Sequence, residues 1–172
     1  AAAAAEPAAS PVEGVTALRV SRVTEGGVGD RVCVDLTSLL APGEGLLVGA
    51  AARTMLLVHG ETVESEFVPT RPFRINAGPV CQYVLMPGGK TKYLSELRAG
   101  DTVLVSNSQG SSREATVGRL KVERRPFLKV EWATGEDSVV TGSAFLQQAE
   151  TVRCVLHEES AGGVVSVTRL AG

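Results

Sequence analysis

Arg31-Val32-Cys33-Val34-Asp35-Leu36 sets polar and apolar side chains in strict alternation, as a half-buried β-strand does. Upstream, Ala17-Leu-Arg-Val20-Ser-Arg-Val23 is a second short strand, and Glu25-Gly-Gly-Val-Gly29-Asp30 between the two predicts a turn. Downstream, Ala41-Pro42-Gly43-Glu44-Gly45 is a further turn. It leads into strands at Leu46–Ala50 and Thr54–His59, on either side of Arg53. Gly26 to Gly29 is excluded as a dinucleotide loop. Such a loop opens a helix, whereas here a strand follows.

The second half repeats this order. Gly100-Asp101 precedes Thr102–Val105 as Gly29-Asp30 precedes Arg31–Val34. Val117-Gly118 echoes Val48-Gly49, and Phe145-Leu-Gln-Gln148-Ala149 echoes Phe73-Arg-Ile-Asn76-Ala77. Three echoes in one order, at nearly one spacing, predict a tandem duplication of a small β unit. The expected fold is all-β, with two similar small antiparallel β subdomains, barrel- or sandwich-like, and little helix. Residues 1–14, rich in Ala and Pro and without an initiator Met, read as a disordered linker to something upstream. Residues 15–86 form the first subdomain, 87–157 the second, and 158–172 a tail or last edge strand. Pro126 falls between strand candidates Glu114–Val122 and Phe127–Trp132, at a turn or an edge. Arg124-Arg125 reads as a solvated turn and Cys81 as a buried strand residue.

With 172 residues the chain makes one ordinary domain or two small ones. Its apolar share of 44% suits a core, and scarce aromatics make that core aliphatic. A formal charge of −2 argues against nucleic-acid binding, and no apolar run is long enough to span a bilayer. Cys33, Cys81 and Cys154 have neither framework nor zinc spacing, so a reducing compartment is the simpler setting. With two histidines, a multi-histidine metal centre is not expected.

Candidate chemistry gathers between Arg71 and Leu97. Arg71 and Arg74 flank Pro72, which is expected to hold them extended. They could clamp a carboxylate or phosphate, or be solvated strand residues. Lys90 and Lys92 follow the Pro87-Gly88-Gly89 turn. They could complete an anion site or supply a Schiff-base amine, or simply guard an edge strand. His59 is a candidate acid/base with Glu61 as its orienter, or a plain strand-end histidine. Gly78 is a place for close approach of a ligand, or a turn. The expectation is one pocket between the subdomains lined by Arg74, Asn76 and Lys90, with His59 or Glu61 at its edge, and with Glu44 and Glu61 balancing the cations.

Taken together, Ser21–Glu25, Val28–Asp35, Pro42–Gly45 with Leu47-Val48-Gly49, Arg71–Arg74 with Asn76–Gly78, and Lys90–Leu97 resemble the C-terminal half of type II, archaeal-type 3-dehydroquinate synthase. Gln148–Val152 is similar to its closing segment. The resemblance implies an NAD-dependent oxidative deamination and cyclisation of a 2-amino-dideoxy-heptulosonate to 3-dehydroquinate, in the shikimate pathway of aromatic amino-acid biosynthesis. It further implies a small-molecule substrate carrying a carboxylate and a partner in the family's N-terminal half or another subunit. The expected location is the cytoplasm or a plastid stroma. The alternative is a non-catalytic β module derived from that family, serving as a subunit or interaction domain.

Overall fold

The computed structural model describes residues 15–135, 139–157 and 163–170. The expected linker, 1–14, lies outside the described residues, as do parts of the expected tail. Eleven strands account for most of the described chain: β1 Arg19–Leu36, β2 Gly45–Ala51, β3 Thr54–His59, β4 Arg74–Pro79, β5 Tyr83–Leu85, β6 Thr91–Tyr93, β7 Thr102–Ser106, β8 Ser112–Thr134, β9 Val140–Gln147, β10 Arg153–Val155 and β11 Val164–Ser166. All their pairings are antiparallel, and helix is confined to single 3-10 turns among the described residues. The strands form a folded-over, sandwich-like sheet, not a closed barrel.

Its spine is the long ladder of β1 on β8, from Arg19 opposite Ala133 to Leu36 opposite Val117. The turn expected at Glu25–Asp30 is instead a β-bulge inside β1, where the register shifts between Glu25 and Val28. Gly27 sits there at φ +76, a conformation that only glycine adopts without strain. Val28 pairs with Pro126, so the proline sits within β8 directly beside the bulge, where the ladder is interrupted. Arg124 and Arg125 accordingly lie within a strand, not a turn.

β4 pairs with the second half of β1, and β9 with the end of β8. The β2–β3 hairpin is flanked by two small units of one design. On one side β5 pairs with β2, turns at Pro87–Gly89 and returns as β6 into a 3-10 turn at Leu94–Glu96. On the other, β10 pairs with β3 and returns as β11 into a 3-10 turn at Val167–Arg169. Matching backbone bonds recur in both: Met86 N–H to Lys90 O and Leu156 N–H to Gly163 O, Gln82 N–H to Pro79 O and Val152 N–H to Ala149 O. Around these units the two sequence halves interleave, and Asp30 lies inside β1 while Asp101 sits in the turn before β7. Residues of both halves share one aliphatic core, including Val34, Leu46, Val58, Ile75, Val105, Leu146 and Val167, with Trp132 fully buried among them. No helix among the described residues is long and apolar enough to cross a membrane.

Candidate functional site

On β1 the period of two sends Val32, Val34 and Leu36 into the core and Arg31, Cys33 and Asp35 to the opposite face. The neighbouring strands repeat the pattern in register. Asp35 has Arg119 on one side and Arg74 on the other; Cys33 lies between Lys121 and Asn76; Arg31 lies opposite Glu123. Directly paired residues of antiparallel strands project from the same face. One sheet face therefore carries a charged array, although β1 and β4 are buried there.

Asp35 is the hub. Its carboxylate accepts from Arg74 Nε at 2.7 Å and Nη2 at 3.0 Å, and from Arg119 Nε at 2.6 Å. Burial pushes its carboxyl up, but these guanidinium bonds prevail and hold it below the usual carboxylate range. Beside it, Gln147 at the end of β9 accepts through Oε1 from both Arg31 and Asn76, the latter at 2.8 Å. Arg31 also faces Glu123 at 3.6 Å. Two buried atoms of this group, Arg31 Nε and Asn76 Oδ1, have no partner. A donor and an acceptor left open in a buried cluster mark where a polar molecule could bond. Burial keeps the Cys33 thiol protonated, its pKa raised.

Glu61 reaches the same group from the segment before β4. It forms an isolated bridge with Arg71, and its N–H bonds to Arg74 O at 2.9 Å. Arg71 Nη1 stands 3.9 Å from the Glu61 carboxylate. Burial raises the Glu61 carboxyl despite Arg74, Arg71 and Arg31 nearby. Glu61 thus holds its proton more tightly than an exposed glutamate, with Arg74, Arg71 and Arg31 close by. Arg71 and Arg74 are not held extended by Pro72. Arg74 N–H bonds back to Arg71 O at 2.9 Å, so Pro72 sits in a turn.

The other expected members lie elsewhere. His59 Nε2 accepts from Gly43 N–H at 2.8 Å, and burial lowers its pKa, so it is a neutral ring bracing the 41–44 turn. It makes no described bond to Glu61. Glu44 is taken by Arg113, at 2.8 and 3.0 Å. Lys92 pairs with Asp101 at 3.0 Å on the β5–β6 hairpin, where Lys90 is exposed. The lysines therefore do not join Arg74 and Asn76. Gly78, at φ +99, does mark a close approach, but by protein: a Cβ there would lie 2.3 Å from Gln82 Nε2 and 2.5 Å from Phe145 O. Gln82 is fully buried, with bonds to Ala77 and to both backbone groups of Phe145, and so locks β4 to β9. Cys81 is exposed, not buried, and all three cysteines are free. Among the described residues no cluster of His, Cys, Asp and Glu could hold a metal ion.

Arg31, Asp35, Arg119 and Gln147 were absent from the sequence-based candidates. The alternation of Arg31-Val-Cys-Val-Asp35 and of Arg119-Leu-Lys-Val-Glu123 was visible; the register that joins them was not.

Residues 17–171 match the family described as 3-dehydroquinate synthase II C-terminal domain. A 3-dehydroquinate synthase of Methanocaldococcus jannaschii is 54% identical over 136 residues, covering 79% of this chain and 37% of the relative. That of Methanoculleus marisnigri is 50% identical, over 87% of this chain and 44% of the relative. That of Methanopyrus kandleri is 48% identical, over 96% and 40%. No solved structure matches the chain. The chain thus spans well under half the length of these relatives, and over that span it belongs to the 3-dehydroquinate synthase II family, as its C-terminal domain.

Proposed function

We propose that this domain works within a full-length enzyme that converts a 2-amino-dideoxy-heptulosonate to 3-dehydroquinate by NAD-dependent oxidative deamination and ring closure. The observation that carries the reading is the charged array on β1, β4 and β8, where cations outnumber carboxylates and two buried polar atoms stand unpartnered. Buried ion networks contribute little net stability compared with apolar packing, so an array of this kind suits binding more than scaffolding.

In this reading Arg71, Arg119 and Lys121 are the more exposed cations and receive the substrate carboxylate. Asp35 fixes Arg74 and Arg119, so the cationic edge is already oriented before substrate arrives. Asn76 Oδ1 and Arg31 Nε offer an acceptor and a donor to the substrate's hydroxyl or carbonyl oxygens. Glu61, with its raised pKa, carries a proton to or from the reacting carbons. NAD would supply the hydride acceptor of that reaction. The described residues fit it poorly, since no glycine-rich turn here opens a helix that could receive a pyrophosphate. We therefore assign the cofactor to the part of the relatives that lies outside the matched span. Three free thiols suit a reducing compartment.

The test is a hybrid in which this chain replaces the matched segment of the Methanocaldococcus enzyme, supplied with substrate and NAD. Substrate-dependent NADH formation, lost in Glu61→Gln, supports the reading. A folded hybrid that makes no NADH removes it.

A further inference from the structure

The outward face of the β2–β3 hairpin is apolar, although the inward face already supplies the core. Leu46, Val48, Leu56 and Val58 point inward and are buried. Leu47, Met55 and Leu57 alternate with them and floor a groove of about 1170 Å³, walled by Val155, Val165 and Leu170. Arg53, Glu114 and His157 mark its polar rim. A two-sided apolar strand pair belongs in an interior, and a groove this aliphatic has little to offer a polar sugar acid. The charged array shares no residue with it.

Residues 15–18 and Val20 also line the groove, so the first described residues lie at its edge. The relatives carry more than half of their length outside the matched domain, and this domain is named as C-terminal. A region tethered at the groove's edge meets it at high effective concentration and outcompetes a separate molecule. We infer that the Leu47/Met55/Leu57 groove is the seat of the family's N-terminal region, packed there as an intramolecular interface. The inference rests on family membership and not on the reaction proposed above.

The chain's two methionines allow a direct test. Met55 lies in the groove, and Met86 in the core is 8% exposed and serves as internal reference. Peroxide oxidation is followed in this chain alone and in the full-length hybrid. Met55 oxidation should slow by about tenfold in the hybrid while Met86 is unchanged. Equal Met55 rates overturn the assignment. Protection that appears in the chain alone as its concentration rises also overturns it, in favour of a second copy. Protection that appears only on adding NAD overturns it in favour of a ligand. Hydrogen exchange on the natural Methanocaldococcus enzyme removes any dependence on the hybrid's folding. The strand matching Thr54–His59 should exchange more slowly in the full-length protein than in its own C-terminal segment, and equal exchange overturns the inference.

Discussion

Asp35 stands directly opposite Arg74 across the β1–β4 ladder and takes both arms of its guanidinium, at 2.7 and 3.0 Å. Asp35→Asn leaves a buried cation without its counter-charge and should lower unfolding free energy by about 3–5 kcal/mol in urea titration. Replacing both partners, as Asp35→Leu with Arg74→Met, should recover most of that loss. A loss well below 1 kcal/mol for the single substitution would contradict the hub role. The Asp35 pKa is depressed by folding, so its stabilisation is present above the ordinary carboxyl value and fades as pH falls through the folded one.

Glu61 behaves in the opposite sense. Its raised pKa means that the folded state favours the protonated acid, so its contribution is complete below the ordinary value of 4.5 and is lost as pH rises through the folded one. Glu61→Gln should therefore raise the melting temperature at neutral pH. In the full-length hybrid it should cut turnover by roughly a hundredfold or more, as loss of a proton carrier does. A variant that melts lower yet keeps full turnover reverses both assignments.

His59 predicts a pH effect of its own. Gly43 N–H needs the unprotonated ring, and burial depresses the pKa below 6.5. Stability from this contact is present above 6.5 and declines as pH drops through the folded value. His59→Gln keeps an acceptor without titrating, so its melting temperature should fall less between neutral and mildly acidic pH. Parallel curves for the two proteins would dissociate His59 from that slope.

Gly78→Ala should destabilise by about 2 kcal/mol or more, since the added carbon meets Gln82 and the Phe145 carbonyl at a positive φ. Gly88→Ala, also at positive φ but with open space around it, provides the comparison for backbone strain alone. Equal losses in the two would remove the packing part of the argument.

The chain by itself should form no 3-dehydroquinate from substrate and NAD, because the relatives carry most of their length outside this domain. Product detected by mass spectrometry at rates like those of an intact enzyme would transfer the whole reaction to these strands.

Strand identity was legible wherever alternation was strong. Arg31–Leu36 is legible because one face is core and a period of two shows it, and Thr54–His59 because a short apolar run is bounded by turns. Gly26-Gly27 was misread because a bulge and a turn use the same residue for the same reason, a positive φ. The sites divided along another line. Arg74, Asn76 and Glu61 lie close along the chain around one bend, where Glu61 N–H bonds to Arg74 O. Arg119 and Gln147 join them through pairings that no local pattern encodes. The Pro87–Gly89 turn does not fold Lys90 and Lys92 back toward Arg74. That turn instead returns the chain along β5.

The β1–β8 ladder has a consequence for how the molecule assembles. Arg19 waits for Ala133, and Leu36 for Val117, so the spine closes only after most of the domain has left the ribosome. The β2–β3 hairpin, joined by a two-residue turn, pairs strands adjacent in sequence and forms early, ahead of its later neighbours β5, β7 and β10. Until β8 arrives, β1 is an open edge whose apolar side, Val32, Val34 and Leu36, is uncovered. The slow step and the moment of greatest aggregation risk therefore coincide in one strand. Its Arg31 and Asp35, needed later by the charged array, serve in that interval as gatekeepers flanking the two buried valines.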